Sequence, residues 1–205
     1  MAQRTRGPGA HHDQRVTQIA DAVLAVVADD GLAAVSQTRV AAAAGVSAGR
    51  VQHYFPTKQQ LLEAAFDRAN ALSAARIAAK TPDGAGPREQ LTIVLTELIP
   101  YDAPTRTHMR VRQSFTALAL TDTAIAARLH ADYSRLHRQL AELLERDGVP
   151  DPGPAAIALV ALAEGLAYYV LTGLCPAGTA RDRVLTAIAH TCSRPPQAAA
   201  AAPPP

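Results

Sequence analysis

One short stretch, between residues 40 and 55, limits the possible folds of this chain more than any other. It reads VAAAAGVSAGRVQHYF. Gly45 suits the end of a first short helix, because the residue just past a helix end often needs a positive φ, which costs glycine little. Ser47 suits the start of a second helix, because its hydroxyl can accept a hydrogen bond from an unpaired backbone N–H. Two short helices joined this tightly must cross steeply, so the stretch predicts a helix-turn-helix in which one helix protrudes.

The distribution of charge supports a polyanionic partner close to this motif. Residues 1–58 carry six basic and four acidic side chains, whereas the remaining residues carry fourteen of each, so the whole net charge of +2 lies around the motif. The length of 205 residues allows one large domain or two small ones. A hydrophobic content of 48% with abundant alanine and few aromatic residues favours an all-α fold.

Several other classes of protein are disfavoured by the sequence. Cys175 and Cys192 are too few and too far apart for a disulfide scaffold or a zinc module, so we expect buried, reduced thiols in a cytoplasmic protein. The polar N-terminus lacks the apolar segment of a signal peptide. The apolar run Ala155–Leu174 contains Glu164, and we interpret it as a buried helix with no membrane span. Scattered histidines and the absence of nucleophile or phosphate-loop motifs argue against an enzyme, a metal site and a cofactor.

Apolar residues at helical spacing predict helices along the whole chain, without strand alternation or internal repeats. The first helix is predicted over Asp13–Asp30, and a long helix capped by Thr57 is predicted to reach about Ala79. Breaks rich in glycine and proline separate the helices that follow. These are predicted over Arg88–Ile99, Thr105–Leu120, Thr123–Asp147, Ala155–Leu174 and Thr179–Cys192.

The second helix of the motif carries the candidates for reading DNA bases. Arginine pairs bidentately with guanine and glutamine with adenine, so Arg50 and Gln52 are the strongest candidates. Ala48 and Gly49 keep this helix slim enough for the major groove, which is about 12 Å wide. His53 could bond a base or a phosphate. The alternative for Arg50 and Gln52 is an ordinary solvated face.

Phosphate contacts are predicted on both sides of that helix. Lys58 opposes the helix dipole at the start of the long helix, which is reasonable if a phosphate lies there. The helix start capped by Ser36 offers backbone N–H groups and a hydroxyl to a second phosphate. In the N-terminal arm, Arg4 and Arg6 could reach the minor groove, or the arm could be an untethered tail. The predicted DNA-binding residues are Arg15, Gln37, Thr38, Arg39, Ser47, Ala48, Gly49, Arg50, Gln52, His53, Tyr54 and Lys58.

Residues from Arg15 to about Leu62 resemble the DNA-binding domain of the TetR family of transcriptional regulators. The resemblance rests on Ile19, Ala20, the Gly31 helix end, the Val40-Ala-x-x-Ala44-Gly45-Val46-Ser47 segment, Gly49, and the Tyr54-Phe55-x-x-Lys58-x-x-Leu61-Leu62 segment. The family usually has Thr-Leu-Tyr after the glycine, where this chain has Arg50-Val51-Gln52. The tyrosine that often contacts a phosphate is therefore Gln52 here, which favours more base reading by Arg50 and Gln52 than is usual.

The rest of the chain resembles the C-terminal regulatory domain of the family, particularly its BetI-like subgroup. The resemblance implies a homodimer that is held by the last two helices of each subunit and binds a palindromic double-stranded DNA operator. It further implies a repressor released by a small-molecule effector, cationic or aromatic, that moves residues 63–79 as a lever and controls an efflux or metabolic gene. The nearly all-apolar helix Ala155–Leu174 agrees, because a small monomer would struggle to bury it.

Large or polar groups on otherwise apolar helices are the candidates for contact with the effector. A carboxylate such as Glu164 on an apolar helix must find a partner or shift its pKa. Glu164 could be the counter-charge of a cationic ligand, with Tyr168 adding a cation–π contact, or it could form a structural bond between helices. Plain core packing is the alternative for the aromatic residues. The candidates are Tyr101, His108, Met109, Arg112, Phe115, Tyr133, Glu164, Tyr168 and Tyr169.

The predicted organisation has four parts. These are a disordered basic arm over residues 1–12, a helix-turn-helix DNA-binding domain over 13–58, a ligand-binding and dimerisation domain over 59–193, and a disordered tail over 194–205. The alternative function is a DNA-binding regulator or scaffold that senses no ligand. A cavity of a few hundred Å³ in the C-terminal domain separates the two.

Overall fold

The structure, a computed structural model, describes residues 8–193. Arg4 and Arg6 of the predicted arm, and the predicted tail over 194–205, lie outside the described residues. Within the described range the chain forms nine α-helices and one 3₁₀ turn, Leu32–Ala34, without strands, which confirms the predicted all-α fold. The helices are α1 Pro8–Asp30, α2 Gln37–Ala44, α3 Ala48–Tyr54, α4 Lys58–Lys80, α5 Pro87–Glu97, α6 Ala103–Ala119, α7 Thr123–Arg146, α8 Pro152–Leu171 and α9 Ala177–Cys192.

Several helices begin earlier than predicted because proline lies in their first turn. Helix α1 starts at Pro8, so the prediction of disorder was wrong for residues 8–12. Helices α5, α6 and α8 likewise have Pro87, Pro104 and Pro152 in their first two positions. The N–H groups of a first helical turn have no partner within the helix, and the fixed φ of proline suits that turn. Prolines that we interpreted as breaks are therefore helix starts.

The buried side chains form two hydrophobic cores. The first core joins α1, α2, α3 and the N-terminal half of α4, and it is closed by residues of α6 and α7. Phe66 of α4 stacks there on Phe115 of α6, with ring centroids 4.3 Å apart. The second core joins α5, Met109 of α6, the C-terminal half of α7, and helices α8 and α9. We call α1–α3 the head and α5–α9 the body; α4 connects them. The first core thus crosses the predicted domain boundary at residues 58 and 59.

The described part of the chain covers only one face of helix α8. One face packs against α7 and α9, whereas Ile157, Leu162, Tyr168 and Tyr169 on the other face are exposed. By length and composition alone, α8 could also cross a membrane, because its most apolar 18-residue segment has a mean hydropathy of 1.7. One third of that segment is buried within the protein. The prediction of a buried helix is therefore confirmed for one face, because within residues 8–193 the neighbouring helices pack on that side.

The start of α5 is tied to the end of α9 by polar contacts. Arg88 Nη2 donates to Asp147 Oδ2 at 3.0 Å and to the carbonyl of Cys192 at 3.1 Å. Burial and the neighbouring Asp147 raise the pKa of the Cys192 thiol to about 11, so the thiol stays protonated. Cys175 and Cys192 are free, and both are half-buried rather than buried as predicted.

Candidate DNA-binding surface and effector site

The helix-turn-helix has the local structure that its sequence predicts. Ser36 caps α2 by accepting a hydrogen bond from the N–H of Arg39 at 3.2 Å, and Ser47 caps α3 through the N–H of Arg50 at the same distance. Gly45 ends α2 in the left-handed conformation, with φ 65°. In that conformation a side chain would be strained, so glycine is required at this turn. These local bonds fix where α3 begins.

Helix α3 presents its predicted reading residues on an exposed face. Arg50, Gln52 and His53 are exposed, whereas Val51 between them is fully buried in the first core. Ala48 and Ser47 are also exposed, Tyr54 is half-buried, and a Cβ at Gly49 would meet no atom within 4 Å. The guanidinium of Arg50 and the amide of Gln52 form no hydrogen bonds with other described residues. Their contact with bases stays a prediction.

Two predicted phosphate ligands lie at exposed helix starts. Lys58 is the first residue of α4, where Thr57 and Gln60 form the predicted capping box. Thr38 is exposed in the first turn of α2. At these ends the N–H groups and a positive partial charge favour an anion. Both side chains are therefore available to a phosphate.

Three other predicted DNA ligands already have partners within the chain. Arg39 forms an ion pair with Asp30 at the end of α1. Arg15 Nη1 donates to Gln18 Oε1 at 2.6 Å. Gln37 Nε2 donates to the carbonyl of Phe55 at 2.7 Å. A phosphate would have to compete with these bonds, and the DNA-binding roles of the three residues stay predictions.

Amide side chains that sequence reasoning did not single out hold the head together. Gln18 Nε2 on α1 donates to the carbonyl of Ala44 at 2.8 Å, where α2 ends. The bond from Gln37 does the same for the end of α3. Together they fix α2 and α3 relative to α1. No sequence pattern identifies these bonds, because each amide reaches a backbone carbonyl at least 18 residues away.

A buried ionic cluster lies in the body around Arg112, which is 4% exposed. Its Nη2 donates to Glu164 Oε1 at 2.7 Å, and its Nη1 donates to Asp132 Oδ2 at 3.1 Å. The guanidinium also lies 4.8 Å from the ring centroid of Tyr133, whose hydroxyl donates to the other oxygen of Glu164. Burial alone would lower the pKa of Arg112, but Glu164 raises it, so the cluster stays charged. We call these four residues the Arg112 cluster.

Glu164 therefore makes the bond between helices that was one of its two predicted roles. It joins α8 to α6 through Arg112 and to α7 through Tyr133. Burial, followed by the influence of Glu164, raises the pKa of Tyr133 to about 12, so its hydroxyl remains a donor. Tyr168, the suggested cation–π partner, is 51% exposed on α8.

His108 connects the Arg112 cluster to α4. Its Nε2 lies 3.1 Å from Oδ1 of Asn70, which in turn is 3.5 Å from Arg112 Nη1. Because that amide oxygen is an acceptor, Nε2 carries the hydrogen and Nδ1 has a free lone pair. Burial, with help from Arg112 and Arg76, lowers the pKa of His108 to about 3, so the imidazole is neutral near pH 7.

A cavity of about 500 Å³, which we call the body cavity, lies between α4, α5, α6 and α7. Aliphatic side chains form much of its wall, and Asn70 and Ser73 place α4 directly against it. A further space of about 340 Å³ lies beside it and shares Asn70, Asp132 and Arg135. The polar residues that line the body cavity are Asn70, Ser73, His108, Arg112, Asp132, Arg135 and Gln139.

Of the nine effector candidates, His108 and Arg112 line this cavity. Met109 and Phe115 are fully buried in the two cores, and Tyr101 contacts Lys80 beside the buried Glu97. Tyr133 and Glu164 face Arg112, whereas Tyr168 and Tyr169 lie on the exposed face of α8. None of these seven lines the cavities described here, so their contact with an effector stays a prediction. The i, i+4 spacing of His108 and Arg112 is the sequence signal that locates this wall.

Helix α3 is capped and exposes Arg50, Gln52 and His53, and one long helix, α4, joins it to a helical body with a cavity. This arrangement is typical of a helix-turn-helix regulator. The model of the bacterial regulatory proteins of the tetR family matches residues 19–65. The model of the C-terminal domain of BetI-type transcriptional repressors matches residues 87–193. The chain therefore belongs to the TetR family, which consists of DNA-binding transcriptional regulators and not of enzymes.

Individual relatives agree in sequence and in structure. The regulator PksA of Bacillus subtilis (strain 168) is 30% identical over 177 residues, which cover 84% of this chain and 85% of PksA. A TetR-family regulator from a Rhodococcus species is 26% identical with a TM-score of 0.78, covering 88% of this chain and 100% of that chain. A regulator from Saccharomonospora viridis, solved in complex with choline, is 25% identical with a TM-score of 0.77, covering 87% and 97%.

Proposed function

We propose that this regulator is a homodimeric repressor that binds a palindromic operator and is released by a small organic effector in the body cavity. The observation that carries the proposal is that Asn70 and Ser73 of α4 form part of the cavity wall. The same helix begins at Lys58, immediately after the DNA-reading helix α3. A molecule bound in the body cavity therefore contacts α4, the helix that joins the head to the body.

The DNA contacts of the proposal use the exposed surface of the head. Arg50 and Gln52 read base edges in the major groove, while Lys58 and the start of α2 hold phosphates on either side. Two heads related by a two-fold axis read the two halves of a palindrome, so the separation of the α3 helices sets the half-site spacing. Repression follows if the operator overlaps a promoter.

The dimer of the proposal uses the uncovered apolar face of α8. Ile157, Tyr168 and Tyr169 are each at least half exposed there, and Leu174 just beyond the helix is 69% exposed. An apolar patch of this kind is typical of a protein interface. Pairing α8 and α9 with the same helices of a second subunit forms a four-helix bundle that buries this face against protein rather than lipid. The regulator is then a cytoplasmic dimer.

The effector class follows from the charges on the wall of the body cavity. Asp132 there is bonded to both Arg112 and Arg135, and Arg112 is also bonded to Glu164, so two carboxylates balance two guanidinium groups. No unpaired carboxylate among these four groups is left to hold a cation, which favours an aromatic effector with hydrogen-bond acceptors over a cationic one. The choline complex of the Saccharomonospora viridis regulator supports the cationic alternative. To release DNA usefully, either effector must bind the DNA-incompetent state more favourably by about 1–3 kcal/mol.

A test of the proposal compares compounds on two matched proteins. The wild type and Ala74→Trp are screened by thermal shift against aromatic acids, phenols and choline, because Ala74 is an exposed alanine of α4 that lines the body cavity. DNA binding is followed by fluorescence anisotropy on the region upstream of the protein's own gene. We expect at least one compound to stabilise the wild type and release its DNA, and Ala74→Trp to lose both responses. A wild type that responds to no compound would instead support a regulator without a ligand.

A further inference from the structure

A third space among the described residues lies where the head meets the body, and it shares one lining residue, His108, with the body cavity. It has a volume of about 330 Å³ and lies between the C-terminal half of α1, the middle of α4 and the start of α6. We call it the joint cavity. We propose that it binds a neutral, largely apolar compound that carries one hydroxyl group.

The apolar part of the argument rests on the residues that form the walls. Leu24 and Ala28 of α1, Leu72 of α4 and Pro104 of α6 are among them, and most of the surface is hydrocarbon. Alanines on all three helices leave a gap that larger side chains would close. A volume near 300 Å³ is at the lower end for small-molecule sites, so the compound has the size of a substituted phenol.

The polar part of the argument rests on two side chains of the cavity wall, Arg76 and His108. Arg76 Nε donates to Glu97, but its Nη2 is buried without a partner among the described residues. His108 is 4% exposed; its Nε2 is bonded to Asn70, and its Nδ1 is likewise buried and unpartnered. Buried polar atoms in native proteins are nearly always hydrogen-bonded. Both side chains line the joint cavity, so two unpartnered polar atoms beside one cavity point to a ligand that satisfies both.

The two atoms have opposite requirements. Arg76 Nη2 needs an acceptor, whereas His108 Nδ1 needs a donor, and a hydroxyl supplies both. A carboxylate would leave the lone pair of His108 unsatisfied, and it would face Asp21, which also lines the cavity. A cation would be repelled by Arg76. A neutral hydroxyl compound is therefore the class that suits this wall.

A compound in the joint cavity would help to hold the head in place against the body. The structure already has two polar links across this joint: Arg68 on α4 forms an ion pair with Asp21 at 2.6 Å, and Arg110 on α6 donates to the carbonyl of Ala28 at 2.7 Å. A compound that touches α1 and α6 together adds a third link. His108 lines both cavities, so one imidazole couples them. Such coupling is reciprocal between the two ligands.

The experiment measures binding of 4-propylphenol to the full chain by isothermal titration calorimetry. The comparison compounds are 4-propylanisole, which can accept but not donate, and 4-propylbenzoate, which is an anion. We expect the phenol to bind the wild type at least about tenfold more tightly than either. Equal binding of the anisole would overturn the hydroxyl assignment, and the absence of phenol binding would overturn the site.

Three variants locate the bound phenol. Ala25→Trp fills the joint cavity from an exposed position on α1, and Ala74→Trp is the matched control that fills the body cavity instead. We expect the first to weaken binding at least about tenfold and the second to leave it within about twofold. Arg76→Lys keeps a positive charge beside Glu97 but removes Nη2, and should weaken binding severalfold. The reverse order of the two tryptophan variants would place the phenol in the body cavity and contradict the proposal. Release of DNA by a body-cavity effector is tested separately and would be unaffected by that result.

Discussion

In the head, each helix of the reading motif begins with a hydroxyl that binds an N–H three residues away, whereas the buried charge of the body finds its partners 20 and 52 residues away. The helix starts of the reading motif are thus capped by neighbours in sequence, while the longer bonds of Gln18 and Gln37 join the helices to one another. The side chains of Arg50 and Gln52 form no hydrogen bonds with other described residues. Arg112 in the body depends on three helices being in place at once. Local bonds fix where the helices of the reading motif begin, whereas the Arg112 cluster forms only when helices α6, α7 and α8 are packed together.

The largest expected effect breaks the distant bonds. Arg112→Met removes the only cation that is bonded to Glu164 among the described residues and leaves that carboxylate partly buried beside Tyr133. Breaking a buried ion pair from one side costs about 3–5 kcal/mol, and we expect a loss of this size in the free energy of unfolding measured with urea.

The double variant Arg112→Met/Glu164→Leu is the control for this loss. Replacing both members of a buried pair by apolar side chains is often neutral or stabilising, so the double variant should recover most of the stability. If Arg112→Met alone lowered the free energy of unfolding by less than about 1 kcal/mol, the Arg112 cluster would stabilise the body no more than a single helix cap stabilises the head.

The opposite behaviour is expected for the exposed reading residue. Arg50→Ala should leave the unfolding free energy nearly unchanged but weaken operator binding by about 1–3 kcal/mol and relax specificity at one base position. Lys58→Ala is the matched control. It should weaken binding to all DNA sequences alike, and it should reduce the slope of the logarithm of affinity against the logarithm of salt concentration. Both are measured by anisotropy titrations at several salt concentrations. If Lys58→Ala weakened binding to the operator more than binding to other DNA, Lys58 would read bases as Arg50 is expected to do, and its predicted role as a phosphate contact would be wrong.

The dependence of stability on pH tests the buried histidine. The pKa of His108 falls from 6.5 to about 3 on burial, so below pH 6.5 the unfolded chain takes up a proton that the folded chain refuses. Stability is therefore fully present above pH 6.5 and is lost as the pH falls towards 3; between pH 7 and pH 5 the loss is about 2 kcal/mol. Urea unfolding at both pH values should show this loss in the wild type and not in His108→Gln. His130→Gln, at an exposed position, should behave as the wild type.

The smallest effect is expected from a helix cap in the head. Ser47→Ala removes the hydroxyl that accepts from the N–H of Arg50 and should cost about 1 kcal/mol in the free energy of unfolding. Ser36→Ala, which removes the equivalent cap of α2, should cost a similar amount. A loss of 3 kcal/mol or more from either cap, as large as that of a buried ion pair, would show that the head is not stabilised locally as described.

The same contrast explains which parts of the structure could be predicted from the sequence. Gly45, Ser47 and the Thr57–Gln60 capping box act over a few residues, so the motif and the start of α4 were predicted correctly. The helix starts at Pro8, Pro87 and Pro152 were predicted too late because proline was interpreted as a break.

The candidate effector site was less accessible to prediction, for a physical reason. His108 and Arg112 stood out as polar residues on an apolar helix, but Asn70, Asp132 and Arg135 reach the body cavity only through the packing of α4 and α7. Met109 and Phe115 have the same apolar pattern whether they line a cavity or fill a core. Helical periodicity predicts which face of a helix is buried, but it does not predict whether that face meets another helix or a cavity.

The stacked pair of Phe66 and Phe115 has a consequence for engineering chimeric regulators. A graft that takes residues 1–58 from this chain and the remainder from a relative would cut through the first core, which α4, α6 and α7 complete. The transplanted segment would then meet foreign side chains at positions 66, 115, 125 and 129, where interior packing tolerates little change in volume. A graft of the whole reading motif therefore has to bring these matching core residues with it. Replacing the exposed positions of α3 alone leaves the first core intact, so it is the simpler way to transfer the predicted operator specificity.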